Sequence, residues 1–301
     1  MRMPICGNMP LELEQIASSM RPAGRSFVPV LKIAHQLGTR VCLRFERERE
    51  RLSARVELSR KPPTIYLSRL SPVTGERYLD NHEDHLLSPR ERFSVAHELG
   101  HLVAYDKFHL LPAGEKSEYW IQEEWMHKFA ATLLTPDSLI DNCLNGLRLG
   151  EPVCPFILRD AAADIARLSQ EVLATQLCLK RRDIGFLKVA FAKKKADNQP
   201  VLRVLFSASG DQLRLPKNHS HIDHGHLLRR LESEDLGSAT LQRCALGKLD
   251  PQDVNIAWRR MGALRGLDRR SPNKESEAPI PVFWVSLASY IHTPEYQLAL
   301  W

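Results

Sequence analysis

Apolar residues recur at helical spacing in two segments near the start of the chain, LELEQIASSM and SFVPVLKIAHQLG. They lie within residues 10–37, are separated by an RPAG stretch and are stopped by Gly38. The next three segments, RVCLRFE, SARVEL and PTIYLSRL, alternate or concentrate β-branched and aromatic residues and predict three strands of a small sheet. The spacing then turns helical again. Residues 88–108 predict a long, largely buried helix, about 117–134 a second that ends before Thr135-Pro136, and DSLIDNCL a short third. Within 156–180, FILRDAAADIARLSQEVLATQLCLK predicts two short helices meeting near Leu168 and Ser169, a helix-turn-helix spacing whose turn lacks a glycine.

Beyond residue 183 the texture changes. IGFLKVAFA and QPVLRVLFSAS flank KKKADN and predict a hairpin. A helix near 222–233, a polar stretch at 271–281 and two closing strands, VFWVSLASY and YQLALW, follow. The expected class is α+β in three parts: residues 1–144, a helical linker region at 145–182, and an α/β domain at 183–301.

Bulk properties narrow the class. Apolar content of 43% and charged content of 26% are ordinary for a globular protein, and no run approaches the 18 or more apolar residues of a membrane span. Cys6, Cys42, Cys143, Cys154, Cys178 and Cys244 are scattered without a C-x-x-C, which argues against a thiolate zinc ribbon and against a disulfide scaffold and fits a reducing, cytosolic setting. The net charge of +6 is unevenly placed. Residues 1–144 hold 19 basic and 19 acidic side chains, residues 145–301 hold 23 and 17, so the excess lies in the second half. That excess fits either a solvated surface or attraction to a polyanion.

The chemistry concentrates in SPRERFSVAHELGHLVAYDKF, residues 88–108. Residues four apart share a helix face, so His97 and His101 can aim two imidazoles at one ion. Glu98 stands beside them, placed to take a proton from water activated there. Ser88, Pro89 and Glu91 supply an N-cap, a first-turn proline and a capping-box acid. A catalytic zinc takes three protein ligands and keeps one position open. The third ligand is sought on the next helix, where Glu123 shares a face with Met126, Ala130 and Leu133, while Glu124 shares one with Lys128. His127, one turn beyond Glu123, is an alternative ligand or a supporting donor. Tyr66, Tyr105, His109 and Tyr119 are candidates for a second oxyanion or substrate contact, and the Ile65-Tyr66-Leu67 strand for binding substrate at a sheet edge.

RFSVAHELGHLV followed by EEWMHKFAATLLTP resembles the ImmA/IrrE family of zinc metallopeptidases, strongly over residues 88–136. The resemblance implies zinc on His97, His101 and Glu123, with Glu98 as general base. Met126 stands where the family has alanine and His127 where it has asparagine. It also implies a zincin-like peptidase domain, a helix-turn-helix region and a sensor-like domain related to GAF folds. The expected substrate is a partner helix-turn-helix repressor, cut to release genes of stress response, mobile-element transfer or phage defence. The basic second half looks most like the defence-associated CapP type, for which single-stranded DNA is a plausible activator.

Three further features carry expectations. MPICGNMP places Cys6 in a setting that resembles the thiol latch of matrix metalloproteases. Lys180, Arg181, Arg182, Arg259, Arg260, Arg269 and Arg270, with Phe186, Phe191 and Trp258 nearby, suit a nucleic-acid groove with stacking aromatics. His219, His221, His224 and His226 form a polar histidine cluster, either solvated or a second metal site. The rival reading is a DNA-binding regulator whose metal site is structural or vestigial, but a merely structural site has no need of the base Glu98.

Overall fold

The computed structural model describes residues 8–47, 54–111, 116–193, 199–213, 215–223, 225–244, 252–264 and 280–289. The fold is mixed α+β with two sheets. It divides into two compact units, one of residues 1–141 and 161–173, the other of 142–160 and 174–301. The stretch 145–182, expected as a region of its own, is shared between them. Its two short helices have no core of their own: Ala162, Ala166, Leu168 and Leu173 are buried in the first unit, Leu158, Leu177 and Cys178 in the second. The helix break falls where expected, and Arg167 makes the turn without glycine by taking a left-handed backbone, φ 52°.

In the first unit, α1 (Met9–Ser19) and α2 (Val30–Gln36) precede β1 (Arg40–Glu46), β2 (Ala54–Glu57), β3 (Thr64–Leu70) and β4 (Gly75–Leu79). The strand order is β2-β3-β1-β4, with β1 and β3 parallel and the other pairs antiparallel. Val41, Leu43, Ile65 and Leu67 are buried on one face of this sheet. Register puts Cys42, Arg55, Tyr66 and Tyr78 on the other. The short, polar β4 (GERYL) has no apolar alternation to announce it.

Two long helices follow, α3 (Pro89–Phe108) and α4 (Lys116–Leu134), then α5 (Asp137–Leu144). The start of α3 is fixed by a capping box. Ser88 Oγ accepts the Glu91 N–H while the Glu91 carboxylate accepts the Ser88 N–H. Arg69 on β3 donates twice to the same carboxylate, at 2.6 and 2.9 Å, tying the helix start to the sheet. One turn on, the fully buried Arg92 donates to Asp84 at 2.6 Å, to the Val28 carbonyl at 2.7 Å and to the Arg167 carbonyl at 3.1 Å. Asp84 also accepts the backbone N–H groups of Val30 and Leu31, so one ion pair joins the N-terminus of α2 to α3.

The second unit holds α6 (Pro155–Asp160), which is followed by a π-helical turn at Ala161–Ala166 in the first unit, and α7 (Gln170–Lys180) has residues in both units. Strands β5 (Ile184–Lys193), β6 (Pro200–Ser209), β7 (His221–Ile222), β8 (Leu236–Cys244), β9 (Gln252–Leu264) and β10 (Ile280–Ser289) form one antiparallel sheet, ordered β7-β6-β5-β10-β9-β8. The amphipathic α8 (Gly225–Ser233) buries Leu227, Leu228 and Leu231 against its apolar face. The expected β5–β6 hairpin is present. The long β9 contains Arg259 and Arg260, two of the basic residues expected in a nucleic-acid groove. YQLALW lies outside the described residues. Among the described residues no helix is long and apolar enough to cross a membrane.

Candidate metal centre

His97 and His101 lie on the buried side of α3, and Glu123 reaches them from α4. His97 Nε2 is 3.1 Å from one Glu123 oxygen and His101 Nε2 is 3.3 Å from the other. The three donor atoms lie within 4.8 Å of one another. Among the described residues this is the one group of three or more histidine, cysteine or acidic side chains that could hold a metal ion. The convergence depends on how closely α3 and α4 approach. A Cβ at Gly100 would lie 2.9 Å from Met126 Sδ and 3.1 Å from a Phe129 ring carbon, so the glycine inside the motif is what lets α4 pack this near.

Electrostatics suit a cation. Burial lowers the His97 pKa and favours the neutral imidazole that can ligate. Hydrogen bonds from His101 and His97 hold the Glu123 carboxyl well below the ordinary carboxylate range, so it is anionic. Glu98 is the opposite case. Desolvation by burial raises its pKa to about 7, with the neighbouring Glu123 charge adding to the rise and His101 and the Val56 backbone N–H opposing it. One acid of the site is therefore held ionised and another is poised near neutrality, the pairing expected of a ligand and a proton-transfer group.

The other candidates separate clearly. Tyr119, one turn before Glu123, is hydrogen-bonded to that carboxylate, and burial foremost raises its phenol pKa. His127 packs edge-on against His97 at 4.7 Å between ring centroids and stacks on Phe93 at 5.9 Å, outside the three-donor group. Glu124 pairs with Lys128 at 2.9 Å on the exposed side of α4. Tyr66 is no site residue. It lies beneath Arg44, Arg55 and Arg60 on the face opposite Ile65 and Leu67, because side chains alternate along a strand. His109 is the left-handed C-cap of α3, two turns beyond His101 and exposed. Tyr105 is also exposed and lines a cavity together with Leu102, one turn along α3 from Glu98.

The edge-strand expectation needs correction as well. β3 is interior, between β2 and β1, so its backbone is already paired. The strand at that edge of the sheet is β2, and its Val56 N–H is the one bonded to Glu98. Sequence reasoning missed both this strand's role and the Arg92–Asp84 pair. The signal for the latter was a charged residue at i−4 from Ala96, in line with the buried face.

The nucleic-acid constellation does not assemble as expected. Phe186 and Trp258 are fully buried, Trp258 donating to the Glu234 carbonyl at 3.1 Å, and Phe191 packs edge-on against Phe283. Arg181 is locked on buried Asp183 at 2.8 and 2.9 Å and on the Arg148 carbonyl. Arg259 covers the Phe156 ring, while Arg260 pairs with Asp235 and Arg182 with Asp211. Lys180 is exposed at the end of α7. Cys6, Arg269, Arg270 and His224 lie outside the described residues. Cys42, Cys143, Cys154 and Cys178 are free thiols. No family model matches the chain, and no curated protein does either.

Proposed function

We propose that the chain is a zinc-dependent endopeptidase, with His97, His101 and Glu123 as ligands and Glu98 as general base. The observation that carries this reading is the convergence of two imidazoles and one carboxylate beside a buried acid whose pKa lies near neutrality. The donor set fits the ion. Two imidazoles and one carboxylate are donor types that a catalytic zinc takes, and His97 and His101 lie 3.1 and 3.3 Å from different oxygens of the Glu123 carboxylate, with all three donors within 4.8 Å. When bound, zinc would acidify a water molecule and polarise the peptide carbonyl.

The remaining work falls to the chain's own residues. Glu98, buried beside the two imidazoles, accepts the proton of the attacking water and returns it to the leaving amine. Tyr119 steadies Glu123 and presents a phenol at the rim of the site. The edge strand β2 offers its backbone to an extended peptide, and the Val56 N–H exchanges Glu98 for substrate as the peptide enters.

The resemblance to ImmA/IrrE peptidases makes a helix-turn-helix repressor the proposed substrate, with regulation through the second unit as a GAF-like sensor. Single-stranded DNA as the activator rests on that resemblance alone, given where the second unit's aromatic side chains lie. The test is a comparison of zinc-loaded wild type with Glu98→Gln on a proteome-derived peptide mixture and on candidate repressors, read by mass spectrometry of new termini. Cleavage by the wild type and none by the variant, with equal zinc content, is expected. Equal cleavage by both, or none by either, would refute the reading.

A further inference from the structure

A cavity of about 370 Å³ opens in the first unit, with neither Glu98 nor any of the three metal-ligand candidates in its lining. Ile16, Met20, Leu37, Leu58, Leu102 and Tyr105 line it. That size lies at the low end of small-ligand sites of about 300–1,000 Å³, room for a side chain rather than a folded domain. Its position follows from two elements already tied to Glu98. On α3, Leu102 and Tyr105 stand four and seven residues after Glu98 and share its face, so the cavity begins about 6 Å along the helix from the base. On β2, Val56 bonds to Glu98, and Leu58 follows two residues later in the turn just past the strand's end at Glu57. Both paths lead from the proton-transfer group to the same apolar wall. The charges at the mouth, Asp106 and Lys107, pair with each other at 3.1 Å, leaving no net charge to attract an ionic group.

We infer that this cavity selects a large aliphatic or aromatic side chain of the substrate, within two residues of the bond that is cut. The inference rests on the peptidase reading and names its specificity. A peptide paired with the edge of β2 advances about 3.4 Å per residue, so a residue one or two positions from the bond held at Glu98 comes opposite Leu58 and Leu102. Successive side chains of an extended peptide point to opposite faces, so only one of these two positions can present its side chain to the cavity. The surroundings reward apolar area and penalise a buried charge.

Two measurements test this, both on the zinc-loaded full chain. The first profiles cleavage of a random-sequence peptide mixture. Enrichment of Leu, Met or Phe by tenfold or more at one position within two residues of the cut is expected. Leu37→Trp, a change at a 40% exposed rim residue that narrows the cavity, should move the preference to Ala or Ser while zinc content stays unchanged. The second titrates N-acetyl-phenylalanine amide into the Glu98→Gln protein, with the methyl resonances of Leu58, Leu102 and Val103 as readout. Saturable shifts that Leu37→Trp abolishes are expected. Cleavage with no apolar preference at those positions, or with a preference that Leu37→Trp leaves intact, would overturn the inference and spare the peptidase reading. A complete lack of cleavage would overturn both. Failure of the amide to shift those methyls would also sink the pocket assignment.

Discussion

Replacing Gly100 with alanine tests the central geometric claim, that a missing side chain on α3 sets the position of Glu123. The new methyl would meet Met126 Sδ at 2.9 Å and Phe129 ring carbons at 3.1 and 3.3 Å. Comfortable contacts lie at about 3.5–4.0 Å, so α4 must yield by roughly half an ångström at its tightest point. Met126 and Phe129 are both fully buried, so neither has open space to move into, and Met126 Sδ is the nearest obstacle. Alanine in a helix interior gains about 1 kcal/mol over glycine, while overpacking costs about 1–3 kcal/mol. The ligand-free protein should therefore change in stability by only about 0–2 kcal/mol. Metal affinity should suffer more. Glu123 stands three residues before Met126 on the same face, and coordination tolerates displacements of only about 0.2 Å. We expect zinc affinity, measured by competition with a chromogenic chelator, to fall about 10- to 100-fold, the range found when groups that orient metal ligands are lost. Adding Met126→Ala should recover much of that loss, although alone it leaves a cavity worth about 2–5 kcal/mol. The two changes should thus be coupled by about 0.5–3 kcal/mol in a double-mutant cycle. Unaltered zinc affinity in Gly100→Ala, or strict additivity with Met126→Ala, would show that helix approach does not govern the site.

Three more outcomes follow from named contacts. Removing zinc with a chelator should lower the melting temperature of the first unit, because an ion at 100 times its dissociation constant contributes about 2.7 kcal/mol. Glu98→Gln should keep that shift and Glu123→Gln should lose most of it, and the reverse pattern would reassign the ligands. Arg92→Met strands Asp84 in the core without its partner, and a loss of about 3–5 kcal/mol is expected in denaturant titrations. A loss below 1 kcal/mol would mean that the pair does not hold α2 to α3. For Glu91, burial alone would raise the pKa, but hydrogen bonds from Arg69 and Ser88 outweigh it and hold the carboxyl below its ordinary value. Its stabilisation is therefore present above the unfolded value of about 4.3 and fades as pH falls through the lower folded value. The stability difference between wild type and Glu91→Gln should shrink on acidification, and hydrogen exchange in the first turn of α3 that shows a pH-independent difference would contradict this.

The chain's local chemistry is written in short-range spacing. Four-residue intervals put His97 beside His101, the Ser88–Glu91 pair marks where α3 begins, and the inward face of α4 selects Glu123 over Glu124. Strands such as β1, β3, β5 and β6 were legible because their apolar residues alternate or cluster, whereas β4 and β8 carry too few apolar positions to stand out. Only the tertiary structure decided which strand lies at the sheet edge and that Tyr66 faces away from the site. It alone showed that Arg181 and Trp258 are spent inside the second unit and that Arg92 is buried on Asp84. The physical reason is range. Helical and strand periods fix which residues share a face, but the neighbour that face meets comes from pairing and packing between distant segments, and no local pattern specifies it.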